Sequence, residues 1–100
     1  MIKNDEILLY AALRARSKPR PSGVRSYGTR AVVIEECERL GIHPNRAFFL
    51  LQKWNGKGYM DYGMWAWSSW FTPEAPISLG EIKPDPPMKV LRDLDPIGNF

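Results

Sequence analysis

Gly41-Ile42-His43-Pro44 constrains this chain more than any other stretch, because it separates two segments that are each patterned as a short helix. Before it, Val33, Cys37 and Leu40, with Ile34 beside them, form one apolar stripe, while Glu35, Glu36, Glu38 and Arg39 fall elsewhere. The spacing predicts a helix over residues 30–40, capped by Thr29 and stopped by Gly41, since glycine enters the left-handed conformation at no steric cost. After it, Pro44 suits a first helical position, where its missing N–H has no helical partner to lose. A second helix is therefore predicted from Pro44 to about Trp54, with His43 as a cap or turn residue.

The flanking segments supply the rest of a small fold. Asn4 followed by Asp5 and Glu6 marks an earlier helix start, a capping side chain and then acids at the positive helix end, and that helix should run to about Arg16. Every residue from Ile7 to Leu13 is apolar, so both sides of this helix need cover, from the chain's own tail or from a second subunit. Ser17 to Gly28 holds two prolines, two glycines, Lys18, Arg20 and Arg25, and reads as a basic loop with a short strand near Val24-Arg25-Ser26. After Gly56-Lys57-Gly58 the pattern becomes that of a hairpin: Tyr59 to Tyr62, then Gly63, then Met64 to Thr72 with a bulge available at Ser68-Ser69. Alternation along the second arm puts Trp65 and Trp67 on one face and Met64 and Ala66 on the other. From Pro73 onward six prolines in 28 residues exclude a long helix. This tail still carries Ile77, Leu79, Ile82, Met88, Val90, Leu91, Leu94, Ile97 and Phe100, and part of it should pack on the first helix or on a partner. Residues 1–76 are thus expected to form the domain and residues 77–100 a proline-rich extended tail.

Composition narrows the function classes. A chain of 100 residues makes one small domain, and four Trp, four Tyr and four Phe should carry much of its core. One cysteine, Cys37, and one histidine, His43, cannot make an internal disulfide or a thiolate zinc site. Cys37 reads as a small core residue. The acidic start does not suit a signal peptide and no run approaches a membrane span, so a cytoplasmic protein with no membrane partner is expected. Nothing pairs a nucleophile with a base, clusters metal ligands or forms a phosphate-binding glycine loop. No enzymatic activity, catalytic residue, metal ligand or cofactor is therefore expected. Net charge is +3, but it runs from +5 over residues 1–30 to +1 over residues 31–60 and −3 over residues 61–100. The basic end suits phosphates and the acidic end does not.

The helix Thr29–Leu40, the turn Gly41-Ile42-His43-Pro44-Asn45, the helix Pro44–Trp54, Gly56-Lys57-Gly58-Tyr59 leading into a strand, and the closing Trp70-Phe71-Thr72-Pro73-Glu74 together resemble the winged helix-turn-helix family of bacterial and phage type. The resemblance implies an α+β fold of three helices and a C-terminal β-hairpin wing. It also implies a protein of transcription regulation or phage-type DNA processing that binds double-stranded DNA, with helix 44–54 in the major groove. With Ala47 at the centre of the core face, Leu50, Leu51 and Trp54 fall within about 60° of it at 100° per residue. The opposite face then collects Asn45, Arg46, Phe49, Gln52 and Lys53. Arg, Asn and Gln suit base edges, and Lys53 and Lys57 suit phosphates. Thr29 and Arg30, at a helix start with unpaired N–H groups, join Arg25 as a further phosphate contact. Phe49 reads three ways: against a thymine methyl, as an anchor for another protein, or as a core residue of a helix whose phase is rotated. The wing departs from the family pattern, because no Lys or Arg lies between Lys57 and Lys83 and the arm carries Met64, Trp65, Trp67, Trp70 and Phe71 instead. Those rings could stack on bases. They equally support the alternative function, a winged-helix module that binds protein or a second copy of itself through Phe49, the aromatic hairpin and the apolar tail.

Overall fold

A computed structural model describes residues 2–80 and builds them into three helices and one small sheet. The first helix, α1 (Asn4–Arg16), starts one residue earlier than its acids suggest. Asn4 is already helical, and Lys3 takes the cap position without a side-chain cap bond. Asp5 and Glu6 lie in its first turn and Arg14 and Arg16 in its last, each sign opposite to the helix dipole there. Leu9, Tyr10 and Leu13 are fully buried, Leu8 is half-buried and Ala11 is exposed. The cover on α1 comes partly from the start of the tail. Ala75 is buried, and the Tyr10 hydroxyl donates to the Pro76 carbonyl at 2.6 Å. Leu79 packs against the core and Ile77 stands in solvent. The other apolar tail positions, Ile82 to Phe100, lie outside the described residues.

The basic loop contains a second short hairpin. Strand β1 (Lys18–Pro19) pairs antiparallel with β2 (Arg25–Ser26), and the turn closes through Arg20 N–H to the Val24 carbonyl and Gly23 N–H to the Arg20 carbonyl. Pro19 is tolerated because β1 is an edge strand. Next come α2 (Arg30–Leu40) and α3 (Pro44–Gly56). Thr29 holds the cap position of α2 with its side chain unbonded to the backbone, and Gly41 ends the helix at φ 72°. His43 caps α3, its Nδ1 accepting the Asn45 N–H at 3.0 Å, and α3 runs two residues past Trp54. Val33 and Cys37 on α2 and Ala47, Leu50, Leu51 and Trp54 on α3 are buried as their spacing requires. Glu36 is a correction: it lies off the apolar stripe yet is buried, because Arg16 reaches it from α1 and Arg39 from its own helix.

The sheet has strand order β1-β2-β4-β3, all antiparallel, with β3 (Met60–Asp61) and β4 (Trp70–Phe71) contributing two residues each. Phe71 sits opposite Arg25 on one side and Met60 on the other. Its ring meets Tyr10 edge-on at 5.1 Å, so the sheet is pinned to α1 through aromatic contacts. The wing departs from its expected form. The long second arm is absent: residues 62–65 are irregular, and Ala66–Ser68 form one 3-10 turn. Ala66 is buried, Trp67 packs on Phe48 of α3 at 5.0 Å, and the Ser69 hydroxyl closes the turn onto the Ala66 carbonyl. Packing on α3 therefore displaces the expected alternation of Trp65 and Trp67 and leaves no bulge at Ser68-Ser69. The described fold is α+β, with three helices and a small antiparallel sheet, an arrangement compatible with a small winged helix. No helix among the described residues is long and apolar enough to cross a membrane.

Candidate nucleic-acid interface

Burial on one side of α3 decides what the other side offers. With Ala47, Leu50, Leu51 and Trp54 all at 0% exposure, the helix is held along its length, and Asn45, Phe49 and Gln52 line up in solvent on the opposite side. Phe49 is 55% exposed, so the helix phase is the expected one and this ring is no core residue.

Arg46 and Lys53 do not share that outward direction. The Arg46 guanidinium forms a two-pronged pair with Asp5, Nε to Oδ2 at 2.9 Å and Nη2 to Oδ1 at 3.1 Å, and lies 5.6 Å from the Phe49 ring centre. Lys53 Nζ meets Glu6 Oε1 at 3.0 Å, and the other oxygen of Glu6 accepts the Trp54 indole N–H at 2.9 Å. Both cations thus lean toward the start of α1. A helical wheel of α3 alone cannot show this, because the acids that turn them lie about forty positions away in the chain. The Arg46 hydrogen bond holds the Asp5 carboxyl below its ordinary value. The two pairs differ in access: the Asp5 and Arg46 side chains are 36% and 30% exposed, that of Glu6 only 3%.

The remaining expected site residues divide between fold and surface. Arg25 serves the fold, donating from Nε to the Ser17 hydroxyl at 2.9 Å and from Nη2 to the Ser17 carbonyl at 3.2 Å. Thr29 and Arg30 are exposed, and the Arg30 guanidinium stacks 5.0 Å over the Trp67 ring. That ring lies against Phe48, so Arg30 is held on the flank of α3 opposite to Asp5 and Glu6. Lys57 is exposed at the end of α3. Lys18, Arg20, Arg30 and Lys57 have no carboxylate partner among the described residues. Sequence reasoning missed Asp5, Glu6 and Phe48, and it missed that Trp67 packs between Phe48 and Arg30. Asp5 and Glu6 carried only a helix-start signal, and Phe48 and Trp67 only a general aromatic one.

Tyr62, Met64 and Trp65 are exposed in the loop after β3, with Met64 at 98%. Cys37 is enclosed, and burial pushes its thiol up, away from thiolate reactivity. No group of three or more His, Cys, Asp or Glu side chains among the described residues could hold a metal ion. What the arrangement offers is recognition: two amides and a ring on a rigid helix, with cations at its flank and end. No family model, curated protein or solved structure matches the chain.

Proposed function

We propose that the protein binds double-stranded DNA as a small winged helix, as a transcriptional regulator or a phage-type DNA-processing accessory, with α3 in the major groove. One observation carries the reading: α3 is anchored along its whole inner side while Asn45, Phe49 and Gln52 form an exposed line on the outer side. The two amides can pair with the N6 and N7 edge of adenine, and Phe49 can touch a thymine methyl. Arg30 and Lys57 reach the phosphates that fix the register. The chain order α1, β2, α2, α3, β3, β4, with β4 lying between β2 and β3 in the sheet, supports the winged-helix assignment. With Arg25 bound to Ser17 and no Lys or Arg from residue 58 to residue 82, the wing and β2 contribute little to DNA grip.

The exposed Phe49, Tyr62, Met64 and Trp65 favour a second reading, a winged-helix module that binds protein. A titration of random-sequence duplex DNA at several salt concentrations separates the two. The DNA reading expects binding at low salt that weakens steeply as salt rises. Folded protein that fails to bind duplex at low salt would leave the protein-binding reading in its place.

A further inference from the structure

The two ion pairs between α1 and α3 are unequal in a way that assigns them different work. Glu6 is enclosed and divides its oxygens between Lys53 and the Trp54 indole, so withdrawing it would strand a buried N–H. Withdrawing Asp5 strands no buried donor, because its other hydrogen-bond contact is the Glu6 backbone N–H, which also donates to the Lys3 carbonyl at 3.1 Å. Asp5 faces Arg46 at a solvent-reachable edge, beside the exposed ring of Phe49. Its two oxygens meet the guanidinium fork in the same parallel geometry that a phosphate group uses.

We infer that Asp5 occupies, in the free protein, the place of a DNA backbone phosphate on Arg46, and that binding exchanges the one for the other. This rests on the DNA-binding reading and deepens it. Arg46 becomes a phosphate contact and not a base reader, and α1 carries a built-in competitor for the interface. The cost of exchange is small, because a pair open to water contributes little when intact. Arg46 stays ordered in both states, held by the carboxylate before binding and by the phosphate after it. Lys53 remains with Glu6 throughout.

The test compares Asp5→Asn, Arg46→Ala and a charge control, Glu38→Gln, on an exposed acid with no salt-bridge partner among the described residues. The probe is a random-sequence duplex, and each variant's fold is checked by cooperative urea unfolding. Asp5→Asn should bind roughly two- to fivefold more tightly than wild type, the size of an exposed ion pair, and more tightly than Glu38→Gln. Arg46→Ala should bind more weakly, with its log–log salt slope reduced by about 0.9, the loss of one phosphate contact. An Asp5→Asn affinity equal to wild type or to the control overturns the inference, as does an unchanged salt slope in Arg46→Ala. If Asp5→Asn does not fold, Asp5→Ser takes its place with the same expected gain, and a folded Asp5→Ser that binds no more tightly than wild type overturns the inference. Duplex binding by wild type with either negative result leaves the DNA-binding reading standing. Absence of binding by every folded variant overturns both.

Discussion

At the scale of single residues, the buried acids show how a small fold tolerates charge inside. A carboxylate taken out of water is costly unless its oxygens are engaged. Glu6 meets this with an ammonium and an indole N–H, and Glu36 with two guanidinium groups, Arg16 at 2.7 Å and Arg39 at 2.6 Å. Burial of Glu36 pushes its carboxyl up, but the bonds from Arg39 and Arg16 outweigh this and leave it below its ordinary value of 4.5. Asp5 is likewise lowered from 3.8, chiefly by Arg46. A carboxyl held lower in the folded chain binds protons more readily when unfolded. Its contribution is therefore present above the ordinary value and lost as pH falls through the folded one. Urea midpoints should hold on this account down to about pH 4.5 and then decline. Glu36→Gln should cost about 1 kcal/mol of stability at pH 7 and lower the urea midpoint accordingly, since Arg16 and Arg39 reach water and rehydrate. It should also make the acid decline shallower. An acid limb identical to wild type would show that Glu36 is not one of the groups responsible.

Elements divide by whether their signals are local. Both helices around Gly41, and their inner faces, were readable because caps, stops and apolar period act within a few residues of chain. Gly41 is the sharpest of these signals, with φ 72° and open space around the place of a Cβ. Gly41→Ala therefore tests backbone conformation alone. It should cost about 1–2 kcal/mol, the left-handed penalty for an L-residue, in a urea titration that shows no change in the slope m. A loss well below this would mean that the turn relaxes into another conformation. Other features answered to distant partners and were not readable. The segment from Met64 to Thr72 has the composition of a strand, yet Trp67 leaves the alternation to pack on Phe48, and the Tyr27 hydroxyl donates to the Trp67 carbonyl at 2.8 Å. Arg46 and Lys53 fell on the outer half of the wheel and were drawn to acids of another helix. The exposed and buried positions of α3 were thus legible from its period, while the directions of Arg46 and Lys53 depended on α1.

The whole molecule converges on Phe71. This fully buried ring meets Tyr10 at 5.1 Å and Tyr27 at 6.4 Å, lies beneath the Arg14 guanidinium at 5.5 Å, and belongs to the strand between β2 and β3. Strands two residues long cannot hold a sheet by backbone bonds alone, so side-chain packing must hold this one. Phe71→Ala should cost about 3–5 kcal/mol. Against the roughly 5–15 kcal/mol typical of a small domain, that leaves little cooperative unfolding at room temperature, and the aromatic near-ultraviolet dichroism should collapse with it. Retention of a wild-type melting transition would refute this central role.

Alpha-helix α1 also fixes its own direction. Its middle is apolar from Ile7 to Leu13, a pattern that by itself carries no direction. Its ends are not interchangeable. Acids at the start meet Arg46 and Lys53, and Arg16 at the end meets Glu35 and Glu36. Reversed, the helix would set Arg14 and Arg16 against two cations and Asp5 and Glu6 against two carboxylates. The four ion pairs, each weak as a bond, act together as a polarity key that favours the same direction the Tyr10 contacts require.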